Sequence, residues 1–341
     1  MKVLFRVLRK DKLTSIVVHN NPDPDALASA MGLKFILKKM SYKNVRIYYD
    51  GLIGRAENQE IIKILKMSLY LTANMVSPKK HQFILIDCQP YTGNATLPDG
   101  VSPVAVIDHH PKRKRTSEVP FYDVRPQYGA CSTIIYEYMS SLKLSMPTNI
   151  ATALCYAISS ETHNLGREGS HADKRAYIEL LSHSSFSQLS KTQNPKLSKD
   201  FVTNLSRALI NTFYYKNLIG VILEELPYPD FAAQMADFLL RIKNIVWSVC
   251  LGSYRDVLYV SIRTSNTQAD ASKIIKKIIP KHGTSGGHDM IAGGQVRIDR
   301  SERTKIRSIK NDVIIKMIQA LNYPDVPHLF KLVSNEKFPL S

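Results

Sequence analysis

The sequence has no apolar run approaching the 18 or more residues of a membrane span. Its first residues, Met1 to Arg6, show no apolar signal-peptide core, so we expect a cytoplasmic protein without a membrane partner. Only four cysteines occur, and they are scattered without the C-x-x-C pairing of zinc sites. We therefore expect reduced, mostly buried thiols. The chain also lacks internal repeats and low-complexity segments.

Acidic residues are scarce relative to basic ones, 29 against 46, which gives a formal net charge of +17. A positive field of this kind attracts polyanions, so phosphorylated substrates are the natural expectation. The densest basic tract, at 112–115, comes directly after an Asp-His-His sequence. The tract is either a solvated loop or a rim that steers phosphates. A nuclear-localisation signal is a weaker alternative.

A chain of 341 residues is long for one domain and predicts two. Residues 1–190 alternate strand-like and helical patterns, which predicts a mostly parallel sheet flanked by helices. A polar tract begins near residue 183, and 191–215 are predicted to form a helical connector. Residues 216–330 then predict a smaller α/β domain with its own sheet. The predicted strands are 14–19, 45–49, 82–87, 104–108, 218–223, 245–250 and 257–263. The predicted helices are 25–40, 56–67, 130–142, 148–159, 172–183, 198–212, 229–241 and 269–279.

The first predicted strand ends in three residues of metal-ligand type, His19, Asp23 and Asp25. Holding carboxylates together at one turn is costly without a cation, because each raises the pKa of the other. The alternative is an Asx-rich turn in which an aspartate caps the following helix and His19 is incidental. The motif alone does not decide between the two.

Two further predicted strands end in the same residue types, one at Asp87 and the other at Asp108, His109 and His110. Because ligands bind beyond the carboxyl ends of parallel strands, we expect these side chains to converge with those of the first strand. Carboxylates and imidazoles without thiolates favour a divalent first-row ion. Mn²⁺ is the leading candidate, and Mg²⁺, Co²⁺ or Fe²⁺ are the alternatives.

The predicted second domain contains a glycine-rich stretch, Gly283-Thr284-Ser285-Gly286-Gly287-His288, followed by Gly293-Gly294. We predict a loop here, since glycines let backbone N–H groups approach a phosphate closely. A plain turn is the alternative.

These motifs together resemble the DHH phosphoesterases that carry a C-terminal DHHA1 domain, in particular the nanoRNases, which are oligoribonuclease and pAp phosphatase proteins. The resemblance rests on 19–26, Asp87, 108–110 and 285–294, in the order the family has them, and covers most of the chain. The stretch 157–167 resembles the fourth motif of the family, with Glu161 where the family normally has aspartate.

The resemblance implies two divalent cations bridged by Asp87. The first would be held by His19, Asp23 and Asp87, and the second by Asp25, Asp87, His109 and Glu161. It also implies that His110 faces the substrate phosphate while Asp108 orients its neighbours.

For the second domain, we predict that Arg263, Gly286, Gly287 and His288 bind the distal phosphate or nucleotide. The chain has no room for the extra domains of a long-chain exonuclease. The expected partners are therefore short oligonucleotides, linear dinucleotides or pAp, and a homodimer is left open. The alternatives are a manganese-dependent pyrophosphatase and a non-catalytic nucleotide sensor.

Overall fold

A computed structural model describes residues 1–166, 169–288, 290–323, 329–334 and 336–338, without the side chains of residues 288 and 303. The chain forms two compact units, Met1–Lys196 and Leu197–Ser341. All four cysteines are buried free thiols, as expected. Among the described residues, the helices are each too short or too polar to cross a bilayer.

The first unit is built on a parallel sheet, six-stranded within the described residues, in the order β3-β2-β1-β4-β5-β6. Its strands are β1 Leu13–Val17, β2 Val45–Tyr49, β3 Leu69–Leu71, β4 His81–Ile86, β5 Pro103–Asp108 and β6 Phe121–Val124. The registers of β1 with β4 and of β4 with β5 are parallel, so the carboxyl ends of these three central strands lie at one edge. The predicted parallel sheet is therefore confirmed.

Helices cover one face of this sheet. They are α1 Lys2–Val7, α2 Pro24–Lys39, α3 Ala56–Leu65, α4 Cys131–Ser141, α5 Thr148–Glu161, α6 His171–His183 and α7 Phe186–Gln193. Their apolar side chains form a continuous buried core with alternate residues of the strands, such as Ile16, Ile84 and Ile107. The opposite face, which includes Val17, Leu85 and Val106, packs partly against the loop 88–102. Each central strand is therefore buried on both faces, which explains its continuous apolar sequence.

The second unit contains a mixed sheet, eight-stranded within the described residues, in the order β11-β12-β10-β9-β8-β7-β13-β14. Its strands are β7 Thr212–Tyr215, β8 Leu218–Glu225, β9 Trp247–Tyr254, β10 Val257–Thr264, β11 Thr284–His288, β12 Ile291–Arg297, β13 Leu329–Lys331 and β14 Lys337–Phe338. Its helices are α8 Lys199–Ile210, α9 Phe231–Leu240, α10 Ala271–Ile278 and α11 Arg303–Ala320. The predicted smaller α/β domain is confirmed.

Several elements were not predicted, among them β3, β6, β7 and α11. Two assigned regions also have a different structure from the one expected. The polar tract after residue 183 contains helix α7, whose Leu189 joins the core of the first unit. The glycine-rich stretch predicted as a loop is strand β11, paired antiparallel with β12 so that Gly286 lies opposite Gly293. The prediction of a loop was wrong because glycine weakens a strand without forbidding one, and tertiary pairing overrides its low propensity. Residue 289, within the motif, lies outside the described residues.

Candidate metal centre

The predicted ligands of the first unit converge at the carboxyl edge of β1, β4 and β5. His19 follows β1 by two residues, Asp87 comes directly after β4, and Asp108 is the last residue of β5. The three strands are neighbours in the sheet, so their ends are adjacent. The ligand site of a parallel α/β sheet is expected at this edge.

Among the described residues, two groups of side chains are spaced as metal ligands would be, and Asp87 belongs to both. In the first, His19 Nε2 lies 3.5 Å from Asp23 Oδ2 and 3.6 Å from Asp87 Oδ2. In the second, Asp87 Oδ1 lies 3.5 Å from His109 Nε2 and 3.9 Å from His110 Nδ1. These separations are long for hydrogen bonds. The separations among His19, Asp23, Asp87 and His109 suit atoms that share a cation, since ligands about 2.1 Å from an ion lie roughly 3–4 Å from each other. His110 Nδ1 is instead engaged by Asp108, at 2.9 Å from its Oδ1.

Of the residues in the site, Asp87 is the one whose buried carboxylate costs the most free energy. It is 1% exposed, and its Oδ1 has no hydrogen-bond partner among the described residues. Burial raises the pKa of its carboxyl well above the usual range, and the charges of Asp25 and Asp23 raise it further. A buried oxygen without a partner and a crowd of carboxylates are both satisfied by a divalent cation. The residues present therefore fit the metal that the sequence predicts.

The backbone of Asp87 adds a further constraint. Its φ of +57° lies in the left-handed region, which aspartate and asparagine adopt more readily than most residues. The strand therefore turns sharply at this residue and directs the carboxylate back over the sheet edge.

Asp23 combines the two alternatives that the sequence left open. Its Oδ1 accepts a hydrogen bond from the Ala26 amide at 2.9 Å and caps helix α2. Its Oδ2 faces His19 in the first group. The helix cap is therefore observed, and the same carboxylate is placed where the predicted metal ligand would lie.

Asp25 is oriented by the start of helix α4. Its carboxylate accepts hydrogen bonds from the amides of Cys131 at 2.6 Å and Ser132 at 2.8 Å, which are unpaired donors at a helix N-terminus. Its Oδ2 also lies 3.9 Å from His109 Nε2, which places the carboxylate at the second group. Burial raises the pKa of Asp25. The helix amides hold the carboxylate in place, and a cation would offset the remaining cost.

Backbone carbonyls select the tautomers of two histidines. His19 Nδ1 lies 3.0 Å from the Asn20 carbonyl, and His109 Nδ1 lies 3.2 Å from that of Tyr128. Because a carbonyl oxygen only accepts, each Nδ1 must donate, which leaves Nε2 as the ring nitrogen that faces the aspartates. Metal-binding histidines are commonly oriented by such a contact.

Asp108 is a buried support for His110 and His109. Its Oδ1 accepts hydrogen bonds from His110 Nδ1 and from the His109 amide, both at 2.9 Å. Although burial acts to raise it, the pKa of Asp108 is lowered by the hydrogen bond and charge of His110. The His110 side chain is 42% exposed, so part of its ring is accessible to solvent.

Sequence reasoning missed Gln89, which joins three segments of the site. Its side-chain amide donates to Asp108 Oδ2 at 2.6 Å, and its carbonyl accepts from the Arg113 amide and the Thr116 hydroxyl, both at 2.7 Å. A lone glutamine after a strand carries no sequence signal for this role, because its partners lie 19 to 27 residues away.

Glu161 is the last residue of α5 and is close enough to Asp87 to help raise the pKa of that carboxyl. The turn that follows is left-handed at His163, Asn164 and Leu165, where φ is +48°, +58° and +64°. Consecutive left-handed residues other than glycine are rare and strained. Direct coordination by Glu161 remains a prediction.

In the second unit, Arg263 is buried on β10. Its Nε donates to Asp237 Oδ1 at 2.6 Å and its Nη1 to Ser261 Oγ at 2.7 Å. The antiparallel registers place Arg263, Ile291 and His288 in one row across β10, β12 and β11. The predicted substrate residues thus lie on β10 and β11, which flank β12, and the side chain of His288 lies outside the described residues.

Two glycines of β11 differ in the space around them. A side chain at Gly286 would meet nothing within 4 Å, whereas one at Gly287 would collide with the Ile291 carbonyl oxygen at 2.4 Å. Gly287 also has a φ of +147°, which L-residues rarely adopt. Gly286 therefore leaves open surface beside the strand, and Gly287 is required by the backbone. Phosphate binding by these residues remains a prediction.

Comparisons with known proteins agree with both units. A model of the DHH family, N-terminal domain, matches residues 14–158, and a model of the DHHA1 domain matches residues 219–315. The crystal structure of an exopolyphosphatase-related protein from Bacteroides fragilis has the same fold, with a TM-score of 0.63 and 15% identity over 94% of this chain and 97% of that chain.

Two relatives are similar in sequence. An uncharacterized protein of Methanocaldococcus jannaschii is 31% identical over 283 residues, which are 82% of this chain and 57% of that protein. A probable manganese-dependent inorganic pyrophosphatase of Lactobacillus acidophilus is 24% identical over 166 residues, which are 48% of this chain and 52% of that protein. The chain therefore spans little more than half the length of these two relatives.

Proposed function

Because the chain belongs to the DHH/DHHA1 phosphoesterase family, we propose that it is a metal-dependent hydrolase that cleaves short oligonucleotides, linear dinucleotides or pAp to mononucleotides. The observation that carries this proposal is the sharing of Asp87 by two ligand groups. A shared carboxylate is typical of dinuclear centres that act on phosphoesters.

His19, Asp23 and Asp87 would hold one divalent ion, and Asp25, Asp87 and His109 a second, with Glu161 as its further ligand. Mn²⁺ is favoured by the mixed oxygen and nitrogen donors. When bound, such a pair lowers the pKa of a water and stabilises negative charge on a phosphoryl group.

The chain itself supplies a hydrogen-bond donor beside the ligands. Asp108 accepts from His110 Nδ1, so this nitrogen carries a proton and the ring is held in one orientation. The exposed edge of His110 can then donate from Nε2 to a phosphate oxygen when the ring is protonated. The role of His110 is thus to bind the substrate phosphate, and Asp108 positions the ring.

A short nucleotide substrate is proposed because the motifs of the chain resemble those of the nanoRNases. The net charge of +17 favours a polyanion, and residues 219–315 match a DHHA1 domain. Inorganic pyrophosphate is the second candidate, because relatives similar to about half of the chain are probable manganese-dependent inorganic pyrophosphatases. This candidate has less support, because the similarity to the pyrophosphatase covers only 48% of this chain, which also contains a DHHA1 domain.

One assay separates these candidates. Purified protein with Mn²⁺ is incubated with pAp, with the RNA dinucleotide pApA and with pyrophosphate, and released phosphate and mononucleotide are measured. We expect hydrolysis of pApA or pAp that is lost on chelation and in Asp87→Asn. Hydrolysis of pyrophosphate alone would assign the second function, and no hydrolysis of any of the three by metal-loaded protein would contradict the enzyme.

A further inference from the structure

Two exposed tyrosines of the first unit each lie under a basic side chain. The Arg115 guanidinium carbon lies 3.5 Å from the centre of the Tyr91 ring, and Lys112 Nζ lies 3.9 Å from that of Tyr122. The two rings stay accessible, with Tyr91 62% and Tyr122 42% exposed. Large aromatic side chains are more often buried, so exposed rings paired with cations beside a phosphate site call for an explanation.

Buried contacts fix the Tyr91–Arg115 pair in place. Tyr91 directly follows the buried residues 88–90, and Arg115 directly precedes the buried Thr116. The Thr116 hydroxyl donates to Gln89 Oε1 at 2.7 Å, which brings the two segments together beneath the exposed pair. The loop that begins with Tyr91 is anchored further along by Ala95 and Leu97, which pack on the sheet. The pair is therefore presented by a rigid support.

The same support connects the pair to the candidate metal centre. The Gln89 side chain that accepts from Thr116 also donates to Asp108 Oδ2 at 2.6 Å, and Asp108 holds His110. Tyr91 is four residues beyond Asp87, and Arg115 is five beyond His110. These hydrogen bonds connect the segment that carries Arg115 to Asp108, and through Asp108 to His110, the residue proposed to bind the substrate phosphate.

A tyrosine ring under a guanidinium, beside a phosphate site, has the chemistry of a nucleobase platform. Bases stack on aromatic rings and on guanidinium planes without regard to sequence. Pyrophosphate, in contrast, has no group that would benefit from an exposed ring.

We propose that Tyr91 and Arg115 form a stacking platform that binds the nucleobase next to the reacting phosphate and so selects nucleotides over inorganic phosphates. This inference rests on the proposed function, because it assigns the class of substrate that the metal centre receives.

The test compares Tyr91→Ala and Tyr91→Phe with a matched control, Tyr70→Ala. Tyr70 is also an exposed tyrosine near an arginine, with the Arg46 guanidinium carbon 5.4 Å from its ring centre, but it lies on β3 at the opposite edge of the sheet. Calorimetric affinity for AMP and for inorganic phosphate is measured in the presence of Mn²⁺, and KM is measured for pApA and p-nitrophenyl phosphate.

Tyr91→Ala should weaken AMP binding and raise KM for pApA by roughly 5- to 100-fold, as expected for loss of one base–aromatic stack. Phosphate affinity and KM for p-nitrophenyl phosphate should stay unchanged, Tyr91→Phe should keep wild-type affinity, and Tyr70→Ala should have no effect. Equal losses for AMP and phosphate, or an unchanged AMP affinity in Tyr91→Ala, would overturn the platform. Absence of hydrolysis by the wild type would contradict the proposed function alone, because AMP binding still reports on Tyr91.

Discussion

Replacing Asp87 by asparagine should stabilise the metal-free protein while it abolishes activity. The carboxylate of Asp87 is buried among Asp25, Asp23 and Asp108, and its Oδ1 has no partner among the described residues. Asparagine removes the charge, keeps the shape and tolerates the left-handed φ of +57°. Alanine would be a poorer choice, because strain at this φ would obscure the electrostatic effect.

The magnitude follows from the spacing of the charges. Asp25 Oδ2 and Asp87 Oδ1 lie 3.9 and 3.5 Å from the same His109 Nε2. The two carboxylates are therefore no more than about 8 Å apart, and a pair of like charges at that distance repels by about 2 kcal/mol at an effective dielectric constant of 20. For a domain of this size, relief of about 2 kcal/mol raises Tm by about 4–8 °C.

The sign of the pH dependence is fixed by the raised pKa of Asp87. Its carboxyl ionises at lower pH in the unfolded chain than in the folded protein, so the metal-free wild type loses stability as pH rises from about 4 through the folded pKa. Asp87→Asn escapes this loss. The stability advantage of the variant should be largest above the folded pKa of Asp87 and should vanish as the pH falls toward about 4.

Thermal denaturation with and without Mn²⁺ measures the effect. In chelated buffer near neutral pH, Asp87→Asn should melt above the wild type, and saturating Mn²⁺ should reverse the order, since ligand at 100 times its Kd adds about 2.7 kcal/mol to the wild type. The exposed Asp99→Asn serves as control and should match the wild type in both buffers. A metal-free Asp87→Asn that melts below the wild type would refute the reasoning.

Three further predictions concern other residues. Glu161→Gln should lower activity and the affinity for the second Mn²⁺, and Glu161→Asp should change the preference among Mn²⁺, Mg²⁺ and Co²⁺. If calorimetry shows two ions bound to Glu161→Gln with unchanged affinity, Glu161 is not a ligand. Gln89→Leu leaves Asp108 Oδ2 and the Arg113 amide without their partner, so Tm should fall and kcat should drop at least tenfold, in assays of melting and of pApA hydrolysis. Arg263→Ala should raise KM for pApA at least tenfold and spare p-nitrophenyl phosphate; equal losses on both would indicate a structural role.

The ligand residues could be predicted from sequence because they follow strands whose apolar pattern is continuous. The runs before His19, Asp87 and Asp108 are buried on both faces, so their ends are easy to locate and their convergence follows from parallel topology alone. Helical patterns in the sequence located most helices of the first unit. The apolar strand pattern did not locate β3 or β6, which are short edge strands with exposed tyrosines and no apolar alternation to mark them.

The residues that orient the ligands could not be predicted, because their contacts depend on tertiary packing. The amides of Cys131 and Ser132 that hold Asp25 lie more than 100 residues along the chain. The carbonyl that orients His109 belongs to Tyr128, and a backbone carbonyl leaves no trace in the residue type. The sequence thus identifies candidate metal ligands by residue type. The orientation of their side chains depends on elements that become adjacent only in the folded unit.

These orienting contacts also explain how the unit tolerates its crowded carboxylates without a metal. Asp25 is held by helix amides, Asp108 by His110 and Gln89, and Asp23 by the amide of Ala26. Each of these three carboxylates therefore receives hydrogen bonds that offset part of its burial. Asp87 Oδ1 receives none among the described residues, so the electrostatic cost is concentrated on the one carboxylate that both ligand groups share. A cation that binds there gains the most, which couples metal affinity to the stability of the first unit through a single side chain.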